Sequence, residues 1–412
     1  MQVQVISEDR DWKRLEGEWR ELVAASDADS PFLQWEWVSA WWRHYGMGNQ
    51  LAVLLARNDE ELLGIAPLLI EHRRPPFGPR VIRFLGTGEV FSEYLSFIAR
   101  PGHDSAVTQK LLEFMFGEWH SRWDLLQLTD VLAESPMVSV LERYFGQHEV
   151  RHRQAQFATC WRIELAESWE EFLGGLSRNR REKLRRFLRD LKKHDLEFHE
   201  VTTEAELESA WQALRDLHQL RWSQSGEPGC FASTRFTAFH TDVVPALFRR
   251  GLLSLGLLKC GDRPVAASYC LRHRGVVYFY QGGVDPGWWE CRPGHILRTC
   301  ELRRAIERGD RVYDLLGGDM EYKAQWGTPA VTTLEFLAAA PGRWADGQLG
   351  LALAGRWIKE RARTHLSSAM WSRLRRWKQR RLAAVGSSAP TQSDGPGTKD
   401  RRQVVPSKLV GV

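Results

Sequence analysis

Short apolar runs separated by turn residues recur along the first 340 residues of the chain. Residues 51–56 and 64–70 flank a polar turn and predict an antiparallel β-hairpin. Residues 253–258 and 264–271 have the same outline, and residues 276–281 predict a strand after this second hairpin. Helix-like stretches stand between the strand-sized runs. The pattern therefore predicts a mixed α/β fold.

A tetrapeptide occurs twice in equivalent surroundings. The sequence RPGH stands at 100–103 and again at 292–295, and each copy precedes a helix-like stretch and then an apolar segment. Those segments are also alike, with WDLL at 123–126 and YDLL at 313–316. A chance tetrapeptide would not bring a similar downstream partner, so the repeat indicates an internal duplication.

The duplication predicts two tandem units, each a mixed, mainly antiparallel sheet flanked by helices, and a length of 412 residues agrees with two domains plus extensions. Residues 1–150 are predicted as the first unit, structural or acceptor-binding, and 151–340 as the second, which binds the donor and carries the catalytic groups. Residues 341–385 predict a basic amphipathic helical extension. The Gly-, Ser-, Pro- and Thr-rich stretch 386–412 predicts a disordered tail.

The net charge of +5 is unevenly distributed. From Arg356 onward 14 basic residues stand against 3 acidic ones, which leaves an acidic body and a basic tail. The first residues have no signal-peptide pattern, and no apolar run approaches the roughly 18 residues that span a bilayer, so a cytoplasmic protein is predicted. The six cysteines lack metal-site or disulfide spacing, and no metal is expected.

Two segments predict basic amphipathic helices. Residues 178–193 carry basic side chains around apolar positions at helical spacing, and three interpretations stay open: contact with phosphates, a solvated face, or contact with an anionic membrane. Residues 350–382 place tryptophan and leucine opposite many arginines. This pattern favours peripheral contact with the anionic inner membrane.

The second RPGH copy predicts an anion site. Unpaired amide groups and the helix dipole attract phosphate to a helix N-terminus, and Pro293 and Gly294 suit a tight entry into the helix. Arg292 and His295 complete the candidate donor-binding loop. The alternative is that Pro-Gly simply starts a helix.

The sequence resembles the tandem acetyltransferase-like proteins of the CelD/BcsL type, with a BioF2-like acetyltransferase domain, which are relatives of the GNAT acetyltransferases and the Fem aminoacyltransferases. The resemblance covers residues 3–340. The residues and segments on which this resemblance rests are Phe32, Trp37, Trp41, Trp42, Gly46, the motif at 84–86, Ser135, Pro136, and the segments 177–193, 217–222 and 314–326.

The resemblance implies two GNAT-like units and transfer of an acyl group, usually acetyl, from an acyl-CoA co-substrate to an amine or hydroxyl. The expected acceptor is a polysaccharide, sugar-nucleotide or cell-envelope precursor. Two alternatives stay open: a Fem-like transfer from aminoacyl-tRNA, the one nucleic acid partner considered, and a non-catalytic scaffold of a membrane polysaccharide-synthesis assembly.

Aminolysis of a thioester requires a base and a proton donor for the leaving thiolate. Asp314 ends a predicted buried strand and Glu321 follows on the next loop, so both are candidate catalytic carboxylates. Tyr280 is a candidate proton donor, and the resemblance places Gln281 beside the donor's pantetheine arm. For Asp314 and Tyr280 the alternative is a structural role.

Five residues are candidate substrate contacts. Lys323 follows Tyr322 among aromatics, which suits phosphate or carboxylate binding. His218 and Arg221 are three residues apart and share a helix face, next to Trp222. The first unit has no lysine after its WDLL segment, so its role is predicted to be structural or acceptor-binding.

Overall fold

The structure is a computed structural model that describes residues 1–73, 78–318, 323 and 330–365. Residues Met1–Gly350 form one compact unit, and Leu351–Val412 form a second, of which 351–365 are described. The predicted boundary near residue 150 falls inside the first compact unit and stays a prediction.

The first half of the chain begins with a strand and three helices and ends with two strand–helix pairs. Its elements are β1 Gln2–Ile6, α1 Asp9–Arg14, α2 Glu16–Ala25, α3 Trp35–Tyr45, β2 Asn49–Leu51, β3 Val53–Asn58, β4 Glu61–Ala66, β5 Leu68–His72, β6 Arg80–Phe84, β7 Ile98–Ala99, α4 Asp104–Phe116, β8 Leu125–Leu132 and α5 Pro136–Gln147.

The second half follows a similar order and adds a long strand at each end. Its elements are β9 His152–Glu164, α6 Trp169–Gly175, α7 Arg178–Lys193, β10 Leu196–Glu200, α8 Glu204–Gln224, α9 Thr234–Arg249, β11 Leu253–Cys260, β12 Arg263–His273, β13 Val276–Val284, α10 Pro293–Glu307, β14 Val312–Gly317, β15 Ala330–Ala339 and α11 Arg343–His365.

The described strands form two sheets. A four-stranded sheet has the order β1-β3-β4-β7, and an eleven-stranded sheet has the order β10-β11-β12-β13-β14-β9-β15-β8-β6-β5-β2. Most neighbours are antiparallel, whereas β6 and β8 are parallel, as are β13 and β14. Each parallel pair is joined through a helix, α4 or α10. The mixed α/β fold predicted from the sequence is therefore confirmed.

Two long strands join the halves into one sheet. β15 pairs with β8 of the first half and with β9, and β9 pairs in turn with β14 of the second half. The core is also shared, because Trp37 of α3 packs edge-on against Phe239 of α9, with ring centroids 5.0 Å apart. The two halves therefore share one sheet and part of one core.

Both RPGH copies stand at the beginning of a helix, α4 or α10, and the strands that follow these helices are β8 and β14. The predicted helix 350–382 corresponds to α11, which the structure describes from Arg343 to His365. The rest of that helix and the tail 386–412 lie outside the described residues. Among the described residues, no helix combines the length and apolar character needed to cross a membrane.

Candidate active site

A cavity opens where β13 and β14 stop pairing. Their pairing ends at Tyr278 and Asp314, although β13 continues to Val284 and β14 to Gly317. On one face of the sheet, a cavity of about 410 Å³ lies between the end of β13 and the beginning of α10. Among the residues that border this donor cavity are Arg221, Phe279, Gly282, Trp289, Gly294 and Arg298.

The first turn of α10 presents a free amide group to the donor cavity. Arg292 adopts a left-handed conformation with φ 54°, and its carbonyl accepts hydrogen bonds from the N–H groups of His295 and Ile296. Pro293 has no N–H, and the Gly294 N–H has no acceptor within the described part of the chain. This amide and the helix dipole together form an anion-binding position.

Close packing of α8 on β13 brings Arg221 to the cavity. A Cβ atom on Gly283 would lie 2.4 Å from the backbone nitrogen of His218, so only glycine allows α8 to approach this closely. Arg221 follows His218 by about one helical turn and borders the donor cavity. Its guanidinium also lies over the ring of Trp222, 5.6 Å from the centroid.

A second lobe extends the basic region toward α7. It has a volume of about 500 Å³, shares Arg292 and His295 with the donor cavity, and is bordered by Arg180 and Lys183. His295 stacks on the ring of Phe187 at 5.4 Å. Burial and the nearby Arg292 lower the pKa of His295, so its imidazole is neutral at neutral pH. The positive charge around the lobe therefore comes from arginine and lysine.

A buried network holds Arg298 in place beneath the cavity. Its guanidinium carbon lies 3.4 Å from the centroid of the Phe279 ring, and the group forms an ion pair of 3.1 Å with Glu301. Arg298 donates to the hydroxyl of Tyr313, which itself donates to Glu301 at 2.9 Å, and Ser268 also donates to Glu301. Such a network preorganises a cation that faces the cavity.

Asp314 lies on the opposite face of the sheet and is fully buried. Its Oδ2 atom accepts hydrogen bonds from Tyr94 Oη at 2.8 Å and Arg162 Nε at 2.9 Å, and Oδ1 accepts from the Leu316 N–H at 2.7 Å. Burial raises the pKa of Asp314, against the lowering effect of Arg162. The carboxyl group joins the two halves at the place where β13 and β14 separate.

Glu93 is a buried carboxyl group that the sequence analysis did not single out. It accepts hydrogen bonds from the Gly317 N–H at 2.8 Å and from the Cys160 thiol at 3.1 Å. Burial raises the pKa of Glu93 to about 7, the range in which a carboxyl group can exchange protons at neutral pH. The only signal in the sequence was its position in the acidic, aromatic loop that precedes Tyr94.

Lys323 binds the end of β14. Its Nζ atom donates to the carbonyl oxygen of Leu315 at 2.7 Å and to that of Gly317 at 2.5 Å, and burial lowers its pKa. The side chain thereby satisfies carbonyl groups beyond the end of the pairing with β13. Glu321 and Tyr322, predicted as a catalytic and a substrate-binding residue, lie outside the described residues.

The structure places Tyr280 apart from the donor cavity. Its hydroxyl donates to the carbonyl oxygen of Val90 at 2.5 Å and lies 3.1 Å from His240 Nε2. Gln281 interacts with the side chain of His218, which is buried, and burial lowers the pKa of His218 to about 4. A proton-donor role for Tyr280 and ligand contacts for Gln281 and His218 therefore stay predictions.

Of the predicted site residues, the structure brings together Arg221, Arg292, Pro293, Gly294 and His295 around the donor cavity. The sequence analysis did not foresee that Arg298 and Trp289 border the same space. Among the described residues, no group of three or more His, Cys, Asp or Glu side chains is arranged to hold a metal ion.

Comparison with known proteins adds a family match over the second half. Residues 178–324 match the Acetyltransf_6 family, described as an acetyltransferase (GNAT) domain. The matched segment contains α7, the donor cavity and Lys323. No curated protein sequence matches the chain.

Three solved structures have a similar fold. A crystal structure of FemX is 13% identical, covers 81% of this chain and 97% of its own, and has a TM-score of 0.56. A conserved protein from Bacteroides thetaiotaomicron is 11% identical, with coverage of 82% and 100% and a TM-score of 0.51. The C-terminal domain of a protein named as a lysylphosphatidylglycerol synthetase, from Agrobacterium fabrum, is 9% identical, with coverage of 84% and 97% and a TM-score of 0.50.

At these identities the similarity is one of fold, and the narrower CelD/BcsL resemblance stays a prediction. The family match coincides with the strand separation between β13 and β14 and with the open N-terminus of α10. Residues 178–324 are therefore similar to a GNAT acetyltransferase domain in sequence, and the chain shares its fold with the three solved structures.

Proposed function

We propose that the protein transfers an acyl group, acetyl in the simplest case, from coenzyme A to an amine or hydroxyl group. The observation that carries this proposal is the donor cavity, where the free Gly294 N–H meets the cationic side chains of Arg221, Arg292 and Arg298. Coenzyme A carries a pyrophosphate and a further phosphate, and these groups fit a helix N-terminus surrounded by arginines.

The proposed reaction needs no redox partner. The acceptor nitrogen or oxygen attacks the thioester carbonyl, a C–N or C–O bond forms, and the C–S bond breaks. The proton released by the acceptor neutralises the departing thiolate, directly or through a neighbouring group. Glu93, with a pKa of about 7, is a candidate for this exchange because it lies at the carboxyl end of β14, where β13 and β14 have separated.

The acceptor class rests on the sequence resemblance. We propose a polysaccharide, sugar-nucleotide or cell-envelope precursor on the cytoplasmic side of the membrane. Transfer from aminoacyl-tRNA is the second candidate, and the basic side chains of α7 at the edge of the second lobe favour it. The donor cavity favours coenzyme A because its volume suits a small, phosphate-bearing ligand.

Calorimetric titration with acetyl-CoA tests the proposal. We expect saturable binding to the full chain and its loss in Gly294→Trp, because a Cβ on Gly294 already lies 3.2 Å from Val284 Cγ2 and a bulky ring would fill the cavity. Gly146→Trp is the matched control. Gly146 is exposed on α5, a Cβ there meets no atom within 4 Å, and acetyl-CoA binding should persist.

The same titration separates the alternatives. Binding of charged tRNA without binding of acetyl-CoA would contradict the proposal and favour Fem-like transfer from aminoacyl-tRNA. Binding of neither would favour the scaffold interpretation and overturn the enzyme proposal. Equal acetyl-CoA binding by the two tryptophan variants would show that the donor lies elsewhere.

A further inference from the structure

A further cavity, of about 710 Å³, lies in the first half between α1, α3 and the beginning of β2. Trp12 of α1 borders it, together with Trp35, Ser39 and Trp42 of α3. The three α3 residues are four and three positions apart, so they share one face of the helix. Because three of these four side chains are tryptophan, we name this space the tryptophan cavity.

The tryptophan cavity is separate from the donor cavity. Trp37 of α3 packs against Phe239 in the second half. Ser39 follows Trp37 by two positions, which is about 200° around a helix, so the cavity lies on the side of α3 that faces away from Phe239. In the described part of the chain, no residue borders both cavities. A ligand in the tryptophan cavity is therefore held apart from the donor.

Three polar groups at the tryptophan cavity are available to a ligand. Trp12, Trp35 and Ser39 are 3%, 6% and 7% exposed. The indole N–H groups of the two tryptophans and the Ser39 hydroxyl have no hydrogen-bond partner among the residues that the structure describes. The neighbouring Trp19, by contrast, donates to the carbonyl oxygen of Leu33 at 2.9 Å. A ligand that presents oxygen atoms fits the three groups.

Trp42 supplies an aromatic surface in a fixed orientation. It is half-buried, and its Nε1 atom donates to Oδ1 of Asp9 at 2.9 Å. Trp12 and Trp35 pack on each other, with ring centroids 4.4 Å apart, so less of their ring faces is open. An apolar ring surface beside hydrogen-bonding groups suits a ligand that has an apolar face and a polar edge.

The charges around the tryptophan cavity are balanced. Asp9 and Glu16 border it, and so do Lys13 and Arg43. Neither an anion nor a cation gains a net attraction from two charges of each sign. The same side chains accept and donate hydrogen bonds at the rim. The border therefore favours a neutral ligand that is rich in hydroxyl groups.

We infer that the tryptophan cavity is a binding site for a neutral saccharide. A pyranose ring has an apolar C–H face, which stacks on Trp42, and hydroxyl groups around its edge. The saccharide oxygens accept hydrogen bonds from Trp12, Trp35 and Ser39, and the saccharide hydroxyl groups donate to the carboxylates at the rim. The site anchors a saccharide apart from the donor cavity and does not depend on the acyl transfer proposed above.

Calorimetric titration of the full chain with neutral tetrasaccharides tests the inference. Cellotetraose, maltotetraose and chitotetraose present pyranose rings with different linkages and substituents. Sorbitol is the control ligand, because it has hydroxyl groups but no ring face. We expect saturable binding of at least one tetrasaccharide and no binding of sorbitol. Binding of no tetrasaccharide, or equal binding of sorbitol, overturns the inference.

A tryptophan variant shows whether the saccharide lies in this cavity. Trp42→Ala removes the aromatic surface and should raise the Kd of the bound tetrasaccharide about tenfold, equivalent to about 1.4 kcal/mol. Trp344→Ala is the matched control, since Trp344 is exposed and lies outside the cavity, and the Kd should not change. Thermal unfolding of both variants shows whether each is folded.

A rim variant keeps the test valid if Trp42→Ala fails to fold. Asp9→Ala/Glu16→Ala removes two exposed acceptors and should raise the same Kd about fivefold. Asp11→Ala/Glu18→Ala, at exposed positions of the same two helices, is the control and should leave the Kd unchanged. An unchanged Kd in the rim variant, or in a folded Trp42→Ala, overturns the inference. Because no acyl donor is present, that result leaves the proposed acyl transfer standing.

Discussion

Two carboxyl groups, Glu93 and Asp314, are buried near the carboxyl end of β14 in different surroundings. Asp314 accepts a hydrogen bond from a guanidinium group, that of Arg162, as well as from a hydroxyl and an amide. Glu93 accepts from an amide and a thiol and forms no ion pair with any described residue. Lys323 lowers the pKa of Glu93 by less than burial raises it, and Glu93 has no directly bound guanidinium like that of Arg162 on Asp314.

We predict that Glu93→Gln stabilises the protein at alkaline pH. The pKa of Glu93 rises from 4.5 to about 7 in the folded state, so folding favours the protonated group and stability is lost as the pH rises through this window. Glutamine stays neutral and retains an acceptor for Gly317. The variant's Tm should equal that of the unmodified protein at pH 4 and exceed it by about 2 °C at pH 9.

Thermal unfolding followed by circular dichroism checks this prediction. Glu164→Gln, at an exposed position near the end of β9, serves as the control and should show no such pH-dependent difference. A Tm difference for Glu93→Gln that does not change between pH 4 and pH 9 would contradict the proposed burial effect.

At the scale of the element, the basic amphipathic helix α7 has an apolar face and a basic edge with different surroundings. Leu184 and Phe187 are buried and pack the helix on the second half. Arg180 and Lys183 border the second lobe beside Arg292. The structure therefore shows a packed apolar face and a basic edge that borders the second lobe, and contact with phosphates stays a prediction.

We predict that Arg180→Ala/Lys183→Ala raises the Kd of acetyl-CoA about tenfold at low salt. Two cationic side chains at the lobe attract the donor's phosphates, and salt screens this attraction. Lys192→Ala/Lys193→Ala, at the other end of the same helix, removes the same charge from exposed positions. Calorimetry at two ionic strengths measures the Kd of acetyl-CoA for both double variants. An equal Kd for the two variants would exclude a role for α7 in donor binding.

At the scale of the whole molecule, α11 crosses the boundary between the two compact units. Ala345 and Leu349 are buried in the first unit. Beyond the boundary, Leu351, Trp357 and Ile358 are exposed. Leu351 and Ile358 are seven residues apart and lie on the same side of the helix, and Trp357 is adjacent to Ile358. Exposed tryptophan and leucine in a basic segment suit the surface of an anionic membrane.

We predict that the full chain sediments with phosphatidylglycerol-containing vesicles and that residues 1–350 alone do not. Residues 1–350 form a compact unit, so this truncation retains the buried side chains of α11 that a cut after residue 340 would remove. Neutral phosphatidylcholine vesicles are the control and should retain less of the full chain. Sedimentation of both chains to the same extent would remove the membrane proposal.

By itself the sequence determined the features that depend on residues close together along the chain. The apolar runs around residues 51–70 and 253–284 specified hairpins, and Pro-Gly specified the helix beginning at Pro293, because turn residues and side-chain alternation act over a few positions. The α/β class and the candidate anion site followed from this local order. Glu321 and Tyr322 stay predictions, since they lie outside the described residues.

Only the tertiary structure decided how distant segments combine. The pairing of β15 with β8 and β9 joins the two halves, and no short sequence window encodes such pairing. The burial that raises the pKa of Glu93 depends on contacts with Gly317 and Cys160, far along the chain. One position along β13 or β14 exchanges one face of the sheet for the other, so only the strand register decided which side chains border the donor cavity.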